Sequence, residues 1–407
     1  MDFKKNFKLL SLITIIIYFF YFLLKSYNPT TYGWQNDLVT YLAKLTDIVY
    51  LSSHFKSHSL PIYNLSIKTE NFLFLDQNLP DPKKTRGILT DEYKKYTSAN
   101  IEFQDQSFDV KVRYRGYDFD HWTRDKKSWR IKFDQVNPLF NQKSINLIIP
   151  EDRGIYLEEL SNFRAKKMGL IVPESQFIVL NVNENNHGIY WQAGHWNQNF
   201  LVKNNLPMSK LYGEIDQPNK EGKQSIFTST DYWKDYLDQD ENKSELKTLL
   251  DLLNQPDDQK FFFNLPQILD IDNFLTWQSH SVLMGSNHQD TYHNIRLYYH
   301  PELKKFFIFP WDVLGGLKWL KDYNPLVTRV LKNPLWLSKR NKILTDYVSN
   351  PDNLDQDLQF YDQLFNQTKV AFLQDSFKYF SNYGYLKQVA KTRQQLIDQF
   401  QLVKNHL

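Results

Sequence analysis

Hydrophobic and polar positions divide this chain into stretches of unlike period. Leu9 to Leu24 carries no charge, and Lys4, Lys5 and Lys8 precede it. As a helix these 16 residues extend about 24 Å, short of the roughly 30 Å hydrocarbon core of a bilayer; the flanks from Phe7 to Tyr27, with Lys8 and Lys25 reaching outward, complete a span. Lys25-Ser26-Tyr27-Asn28-Pro29 offers no small-x-small cleavage site, so the run predicts an uncleaved signal anchor. The excess of Lys before it predicts a single-pass membrane protein, its N-terminus cytoplasmic and the bulk of the chain on the outer side. Asp37 to Phe55 has helical spacing (Leu38, Leu42, Leu45, Ile48) and ends before Pro61. Period-two alternation then predicts strands at Ile101–Phe103, Phe108–Tyr114, Ser128–Phe133 and Ser144–Ile149. Glu151 to Met168 reads as a helix stopped by Gly169. Ser175–Val182 and Gly188–Gln192 read as a hairpin across Asn183–His187. Beyond residue 205 the period is helical: Thr230–Leu253, Ile271–Met284 and most of Leu326–Leu407, the last expected to pack under the second half. Two short strands, Ile295–Tyr299 and Lys305–Phe309, interrupt it. The chain therefore divides into a basic end with an anchor (1–27), a connector (28–60), a strand-rich lobe (61–204) and a helix-rich lobe with an acidic hairpin (205–407), an α+β layout with a cleft between lobes.

Composition narrows the chemistry. Lys and Arg number 49 against 46 Asp and Glu, a net +3, with no concentrated basic stripe, which argues against nucleic acid as a partner. There is no Cys, so disulfides, zinc–thiolate sites and Cys nucleophiles are excluded. Neither a Gly-x-Gly-x-x-Gly nor a Walker loop occurs among the 13 glycines.

Two stretches carry candidate chemistry. In Asn287-His288-Gln289-Asp290-Thr291-Tyr292-His293-Asn294, Asp290 and Asn294 share one loop, and Phe309-Pro310-Trp311-Asp312 closes the strand pair that follows. Three oxygen-bearing side chains brought together by a hairpin suit Mg²⁺ holding nucleotide phosphates. Taken singly, Asp290 also suits a turn and Asp312 a helix cap. His288 and His293 with Asp290 offer a second reading, a transition-metal phosphohydrolase. Earlier, Arg113-Tyr114-Arg115-Gly116-Tyr117 ends a strand in a Gly turn, and Lys126-Lys127-Ser128-Trp129-Arg130-Ile131-Lys132-Phe133 starts the next. Alternation places Ser128, Arg130 and Lys132 on one face and Trp129, Ile131 and Phe133 on the other. Two outward cations behind a Gly turn can clamp phosphates, or simply form the solvated face of an amphipathic strand.

Together these stretches resemble the CotH family, atypical protein kinases related to spore-coat protein H. The resemblance rests on Arg115-Gly116, Lys127-Ser128-Trp129-Arg130-Ile131-Lys132-Phe133, Gly169 with Pro173, Gly188-Ile189-Tyr190, Leu211-Tyr212, Asp290-x-x-His293-Asn294 with Tyr298, and Pro310-Trp311-Asp312, in that order over roughly residues 60–320. It implies a two-lobed atypical protein-kinase-like α+β fold, here preceded by the N-terminal transmembrane helix. It also implies ATP with Mg²⁺ or Mn²⁺, and a protein substrate phosphorylated on Ser or Thr. By motif Asp290 would be catalytic, with Asn294 and Asp312 on the metal. Arg115, Gly116, Lys127, Arg130 and Lys132 would lie by the nucleotide, and Glu158 or Glu159 would pair with the Lys. The chain departs from the pattern at Trp191-Gln192-Ala193-Gly194-His195, where a Glu is usual, and at Leu314, where a second Asp is common. Both departures leave open a kinase-like scaffold that binds a partner without catalysis.

Overall fold

The computed structural model describes residues 43–137, 142–215, 224–237, 242–317 and 324–407. Seven strands close a barrel: β1 Ile62–Ser66, β2 Thr97–Phe103, β3 Gln106–Tyr114, β4 Trp129–Asn137, β5 Gln142–Ile148, β6 Ser175–Val182 and β7 Asn185–Gly194. Their order is β1-β2-β3-β4-β5-β7-β6. Neighbours are antiparallel except at the seam, where β1 runs parallel to β6 with Tyr63 opposite Leu180. Alternation decides what each strand turns inward. Leu65, Ile101, Val112, Trp129, Ile131, Ile145, Leu147 and Ile178 fill the interior, each worth about 1.5–3 kcal/mol once shielded from water. Between β6 and β7 the chain turns on Asn183 and Glu184 alone, at φ 48° and 67°, the two left-handed residues of a tight hairpin. Helix α1, Thr69–Gln77, lies beside β2, and α2, Leu157–Lys167, follows β5.

A second sheet of four antiparallel strands stands beside the barrel: β8 Leu211–Glu214, β9 Trp233–Asp235, β10 Leu297–His300 and β11 Lys305–Ile308, in the order β11-β10-β8-β9. With it come α3 Gln198–Lys203, α4 Ser244–Asn254, α5 Asp258–Ile268 and α6 Ile271–Met284. The chain ends with α7 Pro325–Val330, α8 Pro334–Ser349, α9 Pro351–Gln374 and α10 Asn382–His406. Phe274, Trp277, Leu297 and Phe306 share one core there with Leu249 and Phe261.

Several expectations are corrected. Among the described residues no helix is long and apolar enough to cross a membrane. The longest, α9 and α10, carry Asp, Gln, Lys or Arg at nearly every turn, which hydrocarbon does not admit. The run Leu9–Leu24 lies outside the described residues. The fold is thus a seven-stranded barrel with a four-stranded sheet and helices. Neither the transmembrane helix in front of it nor the single-pass placement with the bulk of the chain outside finds support among the described residues. The predicted helix Thr230–Leu253 is instead β9 and α4, and the predicted helix from Glu151 begins only at Leu157. Leu326–Leu407 does not pack only under the second half: Tyr361, Phe372, Tyr385 and Leu396 of α9 and α10 cover the outer face of the barrel at Ile148, Phe177, Ile189 and Trp191.

Candidate active site

The barrel side of the site is built by the connection between β3 and β4. Arg115 N donates to Ser128 O at 2.9 Å and Ser128 N to His121 O at 2.8 Å, so the loop folds back on itself. Gly116 sits at φ 109°, and a Cβ there would stand 2.2 Å from His121 Cβ; only glycine fits. His121 Nδ1 lies 2.9 Å from Ser128 Oγ, and His121 Nε2 lies 3.2 Å from Asp152 Oδ2. This has the order of a Ser–His–Asp relay, but Ser128 is 0% exposed and its Oγ accepts from Ile149 N at 3.1 Å. A sealed hydroxyl is no nucleophile. The relay holds Asp152 in place, and Asp152 in turn lies 3.0 Å from Arg153 Nε. Burial raises Asp152, yet His121 and Arg153 hold its carboxyl well below the ordinary range.

The opposite side is built by two loops off the second sheet. Helix α6 ends in Gly285 at φ 62°, and the chain enters the Asn287–Asn294 stretch. Gln289 staples the two loops, its Nε2 donating to Trp311 O at 2.9 Å and Asp312 O at 2.8 Å. Asn294 Nδ2 donates to Asp312 Oδ2 at 2.9 Å. Both residues have left-handed backbones, Asn294 at φ 65° and Asp312 at φ 55°, a strain that persists where surrounding structure imposes it. His288 Nδ1 lies 3.6 Å from Asp312 Oδ2.

Arg153 joins the two sides. Its Nη1 donates to Asp312 Oδ1 and lies 3.7 Å from Glu158 Oε2. Glu158, at the start of α2, accepts from Asp312 N at 3.0 Å. Burial pushes the Glu158 carboxyl up against the pull of Arg153. Asp312 goes the other way: burial would raise it, but Arg153 and His288 bring it down. Of the two Glu candidates, Glu158 is therefore the one in the site. Glu159 is spent on Trp191 Nε1 at 2.7 Å and on Ser175.

A cleft of about 230 Å³ lies between the walls, lined among others by Arg115, Gly116, Arg153, Glu214, Asn294, Asp312 and Leu314. The structure thus brings together Arg115, Gly116, Asn294 and Asp312. Asp290 is not among the residues lining the cleft; it stands midway along the Asn287–Asn294 stretch, its Oδ1 accepting from Tyr292 N at 2.7 Å and His293 N at 3.1 Å. The remaining candidates lie elsewhere. Arg130 Nε donates to Asn146 Oδ1 at 2.9 Å, Lys127 Nζ lies 5.4 Å from the Tyr114 ring centre, and Lys132 is exposed. His288 and His293 go to different carboxylates, His293 to Asp290 at 3.1 Å. Among the described residues no three His, Asp or Glu side chains gather to hold a metal.

Sequence reasoning missed Arg153, Gln289 and His121. The first two were visible only as single polar residues in stretches read for other reasons, and no local signal marks their reach. His121 had one signal, the need for a neighbour tight against Gly116.

Residues 112–371 match the family model described as CotH kinase protein, well over half of the chain. The chain belongs to the CotH family. It is 21% identical over 296 residues to the inner spore coat protein H of Bacillus subtilis (strain 168), which covers 67% of this chain and 77% of that one. The crystal structure of a Helicobacter pylori proinflammatory kinase CtkA aligns with 68% of this chain and 94% of that one, at 13% identity and a TM-score of 0.26, too slight a likeness to carry an argument. Of the two departures from the CotH pattern, Leu314 lines the cleft. In the other, Gln192 turns into the barrel and accepts from Tyr63 Oη at 2.5 Å, and Trp191 faces the α9–α10 side. That departure reaches the barrel core more than the cleft.

Proposed function

We propose that this CotH-family chain transfers the γ-phosphate of ATP to Ser or Thr of a protein substrate. One observation carries the reading. Across a single cleft from the joined Asn294 and Asp312, the Arg115 guanidinium stands buried beside the Gly116 turn, its Nε and Nη1 with no hydrogen-bond partner among the described residues. An unpaired guanidinium facing a carboxylate–amide pair is suited to a phosphate chain between them.

Asp312 and Asn294 fit a phosphate-bound Mg²⁺ or Mn²⁺. Such ions take one or two protein ligands and fill the rest with phosphate oxygen and water. Half a turn of the Asn294 amide would present its oxygen. A divalent ion there would neutralise charge on the phosphates. Arg115 would clamp them from the barrel side, with the Gly116 backbone close by and Arg130 behind it adding positive potential. Lys127 and Lys132 would act only at longer range. Asp290 is the proposed catalytic carboxylate that orients the acceptor hydroxyl; its hydrogen bonds to Tyr292 N and His293 N set the loop that presents it.

The test is transfer from γ-labelled ATP by the full chain, with Mg²⁺ or Mn²⁺, to itself and to a Ser-rich acceptor. Asp290→Ala and Asp312→Ala should each abolish labelling, and Arg115→Ala should raise KM for ATP by about tenfold or more. A second reading, a scaffold without catalysis, is favoured by Leu314 and by the guanidinium already on Asp312. Nucleotide binding without transfer would establish it. Metal-dependent phosphate release without transfer would instead identify a phosphohydrolase.

A further inference from the structure

Arg153 holds Asp312 Oδ1 with a buried cation, and so neutralises the carboxylate that a divalent ion would need. Two positive charges cannot share one carboxylate oxygen in a buried site without strong repulsion. The neighbourhood offers the guanidinium a second partner. Glu158 is 2% exposed; its Oε1 accepts from Asp312 N, while its Oε2 is buried with no hydrogen-bond partner among the described residues. That oxygen lies 3.7 Å from Arg153 Nη1, beyond a hydrogen bond but within reach of a small side-chain rotation. A buried carboxylate oxygen left unpaired is costly. Arg153 Nε is also short of a well-aligned bond: it lies 3.0 Å from Asp152 yet has no hydrogen-bond partner among the described residues. The residues that follow, Gly154 and Ile155, have φ 57° and 62°, a left-handed pair next to the arginine. Ile155 is β-branched, and such a backbone is strained for it. The guanidinium is therefore held with imperfect geometry between two acceptors, beside a strained turn.

We infer that Arg153 is a two-position latch: it occupies Asp312 in the resting chain, and loading of a divalent cation shifts it onto the unpaired oxygen of Glu158. The inference rests on the metal-dependent reading above. In the resting position Asp312 is neutralised and the cleft is closed to cations. In the loaded position Asp312 and Asn294 are open, and Arg153 with Glu158 ties α2 to the cleft. Arg153 is thus a positioning residue that sets how readily the site accepts metal. His288 stands on the other oxygen of Asp312 and is exposed at the rim, so it does not have to be displaced from a buried pocket.

The test is direct binding of Mn²⁺ alone to the full chain, followed by the electron paramagnetic resonance of the unbound ion. Asp312→Asn is the control that defines binding at this site. Arg153→Gln, which removes the competing charge, should bind Mn²⁺ about tenfold more tightly than the unsubstituted chain. Glu158→Gln, which weakens the second resting place, should bind it several-fold more weakly. A purely structural ion pair would not move Mn²⁺ affinity in opposite directions. Arg153→Lys keeps the charge without the fork and should fall between; it carries the test if Arg153→Gln does not fold. Binding that Asp312→Asn abolishes, but that Arg153→Gln leaves equal or weaker, overturns the latch and leaves the metal site standing. No binding sensitive to Asp312→Asn in any variant overturns both.

Discussion

The two walls of the cleft are held by different means. On the barrel wall the motif residues are held by polar neighbours outside the motif. Lys126 is buried against Asp375 at 2.5 Å, Ser128 ties His121 to Ile149, and Arg130 is bound to Asn146. On the loop wall Asn294 and Asp312 sit in left-handed conformations, pinned by the Gln289 side chain and by each other. The barrel wall spends most of its polar residues on architecture, while the Arg115 guanidinium keeps Nε and Nη1 without a hydrogen-bond partner among the described residues. The loop wall bears its strain where the chemistry is proposed. Strongly patterned residues are therefore not the same set as the residues proposed to react, and substitutions should separate them.

The largest effect is expected on the barrel wall. Lys126→Ala leaves Asp375, fully buried, without its cation, although Ile189 N, Phe377 N and Lys378 N still donate to it. We expect a loss of about 3–5 kcal/mol in urea unfolding, mostly recovered by Lys126→Met with Asp375→Asn. A small loss would mean that this wall is not built as described. Next comes pH. His280 on α6 is buried beside Ser161 of α2, with Nε2 2.9 Å from Ser161 O, and so joins the elements leading to the two walls. Burial lowers its pKa from 6.5 to about 4. The unfolded chain thus binds a proton that the folded chain refuses. Stability should be fully present above pH 6.5 and decline toward pH 4, by up to about 3 kcal/mol. Thermal melts of His280→Gln should lack this segment of the slope.

Gly116→Ala should cost about 2–3 kcal/mol, because the new methyl meets His121 and the φ is unsuited to it; calorimetry would read the shift. The smallest effect has the opposite sign. Asn294→Gly relieves a left-handed backbone and should stabilise by about 0.5 kcal/mol or less, while transfer to the Ser-rich acceptor falls sharply. A parallel loss of stability and transfer would erase the contrast between the walls.

Much of the first wall was legible in the sequence because a period of two is written locally. Trp129, Ile131 and Phe133 point inward and Arg130 and Lys132 outward, as alternation requires. The second wall was legible only as a collection of residue types. That Asp312 meets Arg153, 159 positions away, is decided by how β5 and the second sheet pack, and no spacing encodes it. The helical period of 326–407 was visible, but a stripe tells that a helix is covered and not by what; α9 and α10 turned out to cover the barrel. β1 was missed because five residues of Ile-Tyr-Asn-Leu-Ser hold only two inward side chains, too few to show a period.

The seam of the barrel has a consequence for what can be cut from this chain. The family match begins at Val112 and ends at Ala371. A fragment trimmed to those borders would lose β1, β2, most of β3 and all of α10, together with the Asp375 that neutralises Lys126. Strands β4 and β6 would become open edges with unpaired N–H and C=O groups, ready to add a strand from another molecule. The family-matched middle of the sequence is therefore not a self-sufficient body: the segments on either side of it are the staves that keep the vessel closed.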